Sequence, residues 1–135
     1  MICLDESVFS RLATDKSFPA VEKYLAAHKE ETWILPAVVL FEYLNQYDSH
    51  STIKSQRLKA ENRVDMVADL DGDVATEAAN VRARLETVDT SLKLGDLLIA
   101  ATARANNATL VTADKEDFNK PPIHELMSVD IIDVS

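Results

Sequence analysis

Four acidic residues are spaced so that four different elements of an α/β domain would bring them to one edge of a sheet. Asp5 ends an N-terminal apolar segment, and Asp114 ends the strand-like segment TLVTAD, while Glu42 and Asp96 lie in helical patterns. The carboxyl ends of parallel strands, and the helices after them, line the crevice where open sheets bind ligands. Carboxylates held together against their repulsion need a cation, and a hard divalent ion suits oxygen ligands. The pattern predicts metal-assisted phosphodiester chemistry.

Each of these carboxylates also has an ordinary structural interpretation, because the chain contains 23 acidic residues. Asp5 could cap a helix, although Ser7 could serve as that cap equally well. Glu42 lies on the more polar side of its helix, as a solvated glutamate would. Asp96 stands at the first turn of an apolar helix, where it either satisfies the backbone amides or binds a ligand.

The elements that must position these residues alternate between strand and helix patterns. Ser7 and Asp73 are candidate N-caps, and Pro36 suits the first turn of a helix. We expect strands at 2–5, 32–35, 64–68, 109–112 and 129–134, and helices at 8–13, 18–28, 36–47, 51–62, 74–88 and 96–106. The helix after Pro36 has an expected apolar stripe of Ala37, Leu40, Phe41, Leu44 and Tyr47. This order predicts one α/β domain over residues 1–135, with a mostly parallel sheet of four to five strands flanked by helices.

Composition supports a compact globular protein, since 47% of the 135 residues are hydrophobic. No apolar run is long enough to span a membrane, and the N-terminus shows no secretion signal. Cys3, the only cysteine, lies in the first apolar run and is best interpreted as a buried core residue. These features predict a cytoplasmic protein in a reducing environment.

A net charge of −9 argues against generic binding of nucleic acid through a basic surface. One segment, residues 54–63, has the opposite balance, with four basic residues and only one acidic residue, Glu61. It has two interpretations, a solvated helix face or a contact with a substrate backbone. The four basic residues are Lys54, Arg57, Lys59 and Arg63.

Other catalytic motifs are missing from the sequence. His28, His50 and His124 lack metal-ligand spacing, and there is neither a Gly-x-Ser-x-Gly elbow nor a phosphate-binding glycine loop. Handling of phosphate would therefore depend on metal ions.

Taken together, these motifs resemble the PIN domain, and specifically the small VapC-type nucleases of type II toxin–antitoxin pairs. The similarity covers nearly the whole chain in the family's order. It begins with a strand ending in Asp5 and the nearby hydroxyl of Ser7, although Glu6 fills a position that is usually small and polar. It continues with Glu42 in LFEYL and with Asp96 in GDLLIAATA. The closing motif matches at Thr112, Asp114, Asp117 and Phe118.

The resemblance implies a Mg²⁺- or Mn²⁺-dependent endoribonuclease. Its catalytic residues would be Asp5, Glu42, Asp96 and Asp114, with Asp117 as an alternative fourth acid. The metal ligands would come from Asp5, Asp96, Asp114 and Asp117. Ser7 or Thr112 would hydrogen-bond these ligands or the attacking water. Expected partners are an RNA substrate, a small VapB-like antitoxin protein and a second copy of the chain, with no membrane.

Two alternatives stay open at this point. A PIN domain could bind or scaffold RNA without cleaving it. A phospho-receiver domain also places acids at strand ends, but it needs an acceptor aspartate near position 55, which is a serine here.

Overall fold

The computed structural model describes residues 1–135 as an alternation of short strands and helices. The five strands are β1 (Ile2–Leu4), β2 (Trp33–Pro36), β3 (Met66–Ala68), β4 (Thr109–Thr112) and β5 (Val129–Ile131). The seven helices are α1 (Glu6–Leu12), α2 (Pro19–Ala27), α3 (Ala37–Leu44), α4 (His50–Arg63), α5 (Gly72–Glu86), α6 (Leu94–Ala105) and α7 (Pro121–Leu126). None of these helices is both long and apolar enough to cross a membrane.

The strands form one sheet in the order β3-β2-β1-β4-β5, and every neighbouring pair is parallel. β1 is central, with Ile2 paired to Trp33 on one side and to Thr109 on the other. Parallel neighbours require crossover connections, which the helices supply. The predicted α/β class and the strand count are confirmed, and all the carboxyl ends of the strands share one edge.

The core explains why the strands are nearly continuous apolar runs. Cys3, Ile34 and Leu110 are completely buried, as expected for strands covered by helices on both faces. α6 is buried along most of its length and contributes to both apolar clusters of the protein. The apolar sequence of this helix is therefore explained by its burial, although its first residue, Leu94, is 72% exposed.

Several predicted boundaries are wrong. Asp5, not Ser7, caps α1, because its Oδ1 accepts the Val8 amide at 3.0 Å. Asp71, not Asp73, caps α5 in the same way, since it accepts the amide of Val74 at 3.1 Å. β5 ends at Ile131 rather than at residue 134, and Pro121 and Pro122 begin the short helix α7, which was not among the expected helices.

The predicted apolar stripe of α3 is also partly wrong. α3 ends at Leu44, before Tyr47, and the residues that it buries are Val39, Leu40 and Tyr43. Phe41 is 63% exposed. The reason is tertiary, because the ring of Tyr43 packs edge-to-face on Phe9 of α1 and its hydroxyl group donates to Gln56 of α4.

Candidate active site

Asp5 lies immediately after the central strand and is only 4% exposed. Its backbone amide donates to the carbonyl of Val111, which continues the pairing of β1 with β4. Its Oδ1 accepts two hydrogen bonds, from the amide of Val8 and from Oγ of Ser7 at 2.7 Å. The side chain therefore caps α1 and faces the carboxyl edge of the sheet, so the structural and functional interpretations of Asp5 hold together.

Ser7 and Thr112 connect Asp5 to the loop that follows β4. Oγ of Ser7 accepts the amide of Ala113 at 2.9 Å and lies 3.4 Å from Oγ1 of Thr112. Oγ1 of Thr112 in turn accepts the amide of Asp114 at 3.0 Å. These bonds fix the position of the Asp5 carboxylate relative to the Asp114 backbone.

Asp114 and Asp117 form one compact turn. Oδ1 of Asp114 accepts the amides of Glu116 at 2.8 Å and Asp117 at 3.2 Å. The carboxyl groups of Asp114 and Asp117 are neighbours that shift each other's pKa, and Asp117 and Asp96 influence each other in the same way. The structure thus brings together both candidates for the fourth acid.

Asp96 and Glu42 approach the same edge from α6 and α3. Asp96 lies in the first turn of α6, two residues inside its start at Leu94. A Cβ atom placed on Gly95 would lie 3.7 Å from Oε2 of Glu42, so the Glu42 carboxyl group is next to the residue before Asp96. This is an ordinary van der Waals distance, so the start of α6 and the Glu42 side chain are in contact range.

The pKa values show that the cluster is short of positive charge. Burial, followed by the charge of Asp117, raises the pKa of Asp96 to about 6. Burial also raises the pKa of Asp5, although hydrogen bonds from Thr112, Ser7 and Val8 oppose the increase. Glu42 keeps much of its surface in solvent, yet desolvation of its carboxyl group, and then the charges of Glu6 and Asp5, raise its pKa.

The pKa values of Asp114 and Asp117 are shifted in opposite directions. The pKa of Asp117 is raised, first by its hydrogen bond with Asp114 and then by burial. Burial acts on Asp114 as well, but hydrogen bonds from Asp117 and from two backbone amides outweigh it, so the pKa of Asp114 is lowered. Two neighbouring carboxylates of this kind would be stabilised by a nearby cation.

The donor set fits a hard divalent ion, since every side chain offers carboxylate or hydroxyl oxygen. No three acidic, histidine or cysteine side chains are close enough together to form a complete coordination group. Mg²⁺ is compatible with such an arrangement, because it retains several waters and takes one or two protein carboxylates directly.

The predicted basic segment forms α4, but its positive side chains do not share one surface. At 100° per residue, Lys54 and Arg57 lie on one flank of the buried stripe of α4, while Lys59 and Arg63 lie on the other. Arg57 pairs with Glu61 at 2.9 Å, and Arg63 donates to the carbonyl of Leu12. The structure does not gather these four residues at the carboxylate edge.

Two charged residues near the site were not among the predicted site residues. The charge of Glu6 contributes to the raised pKa values of Glu42 and Asp5. The charge of Lys93 acts to lower the pKa values of Asp114 and Asp117, although the pKa of Asp117 is raised overall. The only sequence signal for Lys93 was its position three residues before Asp96.

Comparisons with known proteins agree with this fold. The PIN domain family model matches residues 2–123. No curated protein matches the sequence. Among solved structures, the chain is similar to one in VapBC2 from Rickettsia felis bound to a DNA fragment from their promoter, with 22% identity, a TM-score of 0.76, and coverage of 98% of this chain and 100% of that one. It is similar to a chain of FitAcB from Neisseria gonorrhoeae, with 23% identity, a TM-score of 0.75 and coverage of 96% of both chains. VapBC-5, a toxin–antitoxin system from Mycobacterium tuberculosis, contains a third such chain, with 27% identity, a TM-score of 0.63, and coverage of 96% of this chain and 95% of that one.

Proposed function

The chain belongs to the PIN-domain family, and from this premise we propose that it is a Mg²⁺- or Mn²⁺-dependent endoribonuclease that acts as the toxin of a type II toxin–antitoxin pair. The observation that supports this most directly is the convergence of five carboxyl groups on one sheet edge, where each of the neighbouring acids Asp5, Glu42 and Asp96 has a raised pKa. A protein gains nothing in stability from such an arrangement unless a cation or substrate uses it.

Within this proposal, Asp5, Asp96, Asp114 and Asp117 would hold the ion. A bound divalent ion would lower the pKa of a water and neutralise charge on the phosphate oxygens. Ser7 and Thr112 keep the Asp5 carboxylate in place through their hydrogen bonds. Glu42, the most exposed of these acids, would accept a proton from water at its carboxylate, since its raised pKa makes it a better base than a free glutamate.

The test uses substitutions that remove charge and preserve shape. We expect Asp96→Asn and Asp5→Asn to abolish Mn²⁺-dependent cleavage of end-labelled RNA while both variants stay folded, because asparagine also caps helices well. Glu77→Gln, which removes an acid from α5 far from this edge, is the matched control and should cleave as the wild type does. Undiminished cleavage by both Asp→Asn variants would end this proposal.

The alternative of a PIN domain that binds RNA without cleaving it makes a different prediction. Such a protein would bind RNA with equal affinity in EDTA and in Mn²⁺, and would show no cleavage in either. The phospho-receiver alternative is set aside, because the chain belongs to the PIN family.

We also propose a small antitoxin protein as partner and a homodimer as the assembled state. The first rests on the solved neighbours, several of which are described as VapBC or toxin–antitoxin complexes. Light scattering of the purified chain should give twice the mass of one chain. Co-expression with an antitoxin should suppress RNA cleavage, and a monomer that cleaves equally well in its presence would contradict both points.

A further inference from the structure

Lys93 stands at the entrance of α6, where its backbone is fixed and its side chain is free. It is the N-cap residue of this helix, and its carbonyl accepts the amide of Leu97 at 2.8 Å. Its side chain makes no capping hydrogen bond and is exposed. The loop before it is held as well, because Nζ of Lys120 donates to the carbonyl of Ser91 at 3.3 Å.

Lys93 precedes Asp96 by three residues at the same end of α6, so the two side chains lie on the same side of the helix start. Its charge lowers the pKa of Asp114 and of Asp117, and it is the one basic side chain among the principal influences on the five acids of the site. None of the protein's ion pairs within 4.0 Å includes it. Lys115, by contrast, is paired with Asp133 at 2.8 Å.

An unpaired cation matters here because the substrate would be a polyanion. The chain has a net charge of −9, and Glu6 adds a further acid beside Asp5 and Glu42. The basic residues of α4 are divided between two flanks of that helix and partly engaged with the protein itself. Lys93 is therefore the exposed, unpaired positive charge that is best placed to bind a phosphate at the carboxylate edge.

We propose that Lys93 binds a phosphate of the RNA backbone next to the carboxylate site. The inference rests on the proposed ribonuclease function and adds to it a residue that contacts substrate. A lysine suits this role, since its ammonium group is a compact charge with three donors that binds phosphate without fixed orientation. Because such a contact does not depend on base identity, it would weaken or strengthen binding of all sequences alike.

RNA binding in EDTA tests the contact in the absence of cleavage. Fluorescence anisotropy with a labelled single-stranded 12-mer should show several-fold weaker binding for Lys93→Gln than for the wild type. The slope of log K against log salt should become shallower by about 0.7, the contribution of one phosphate contact on a single strand. Lys93→Arg should restore affinity and slope. Lys29→Gln, an identical charge change near the opposite edge of the sheet, should behave as the wild type.

Kinetics and calorimetry separate a phosphate contact from a structural role. With Mn²⁺, Lys93→Gln should raise KM more than it lowers kcat, and it should bind Mn²⁺ at least as tightly as the wild type because a like charge has been removed. Equal RNA affinity and salt slope in Lys93→Gln, weaker Mn²⁺ binding, or failure of Lys93→Arg to restore affinity would each overturn the proposal. Wild-type protein that binds no RNA would overturn it too. Absence of metal-dependent cleavage by the wild type would instead refute the ribonuclease function.

Discussion

The two ends of α6 lie beside carboxyl groups whose pKa values are shifted in opposite directions. At its C-terminal end, Nε of Arg104 donates to Glu77 of α5 at 2.8 Å, and this hydrogen bond is the main reason that the pKa of Glu77 is lowered. At its N-terminal end, burial and the charge of Asp117 raise the pKa of Asp96 to about 6. The C-terminal end of α6 therefore lies beside a neutralised acid at the amino edge of the sheet, and its N-terminal end lies among unneutralised acids at the carboxyl edge.

The difference shows where the fold satisfies its own charges and where it leaves them for something else. The positive end of the helix dipole favours Asp96, but this effect is modest and does not restore an ordinary pKa. Concavity alone would point to the other end of the helix, because a cleft of about 660 Å³ lies beside Arg104 and Glu77. Unneutralised charge is the stronger sign of a ligand site, because acids brought together without bases favour a ligand that balances them.

The largest expected contrast between the two ends is their response to metal. Mn²⁺ at about 100 times its dissociation constant should raise the free energy of unfolding of the wild type by about 2.7 kcal/mol, since only the folded chain presents the site. Thermal unfolding monitored by circular dichroism should show most of this gain lost in Asp96→Asn and all of it retained in Glu77→Gln. Equal loss in both variants would mean that the carboxyl edge is not the metal site.

A smaller contrast should exist without metal. The folded pKa of Asp96 is raised from 3.8 to about 6, so its contribution to stability is full below pH 3.8 and is lost as the pH rises through 6. In EDTA at pH 8, Asp96→Asn should therefore be more stable than the wild type by about 1–2 kcal/mol, after allowance for solvent screening of a half-buried group. Urea unfolding should show this difference shrinking to nothing below pH 4. An Asp96→Asn variant that is less stable than the wild type at pH 8 would contradict the raised pKa of Asp96.

The smallest expected effect is a loss of stability when Glu77, at the amino edge of the sheet, loses its charge. Glu77 has a lowered pKa, so its contribution to stability is present above its unfolded pKa and is lost as the pH falls through the folded value. Glu77→Gln should lower the free energy of unfolding by about 0.5 kcal/mol at pH 7, because the ion pair is partly exposed. The deficit should vanish near pH 3, and a deficit that is independent of pH would indicate lost packing rather than lost charge.

Much of the fold could be predicted because its strongest local patterns agree with its tertiary structure. The apolar run before Asp5 and the stretch LLIAATA after Asp96 are buried as expected. The predictions that failed concerned short elements or depended on packing. α7 has six residues, too few to show a helical period, and the face that α3 buries is set by contacts with α1 and α4.

The candidate site was predictable in outline and not in detail. The order of motifs indicated which acids would meet, and their place at strand ends indicated where. The choice between Asp114 and Asp117 could not be made, because the two share hydrogen bonds within one turn and belong to the site together. The position of Lys93 beside them also escaped prediction, since a single basic residue forms no pattern in a sequence.

The strand order has a consequence for the time at which the site can exist during synthesis. β1 is made first, yet it is central and pairs with β4, whose residues begin at Thr109. Asp5 is therefore synthesised long before β4, and the pairing of β1 with β4 cannot form until most of the chain has left the ribosome. Asp114 and Asp117 come later still, so no nascent chain shorter than this can assemble the carboxylate cluster. A chain that ends before residue 114 lacks two of the five acids of the cluster.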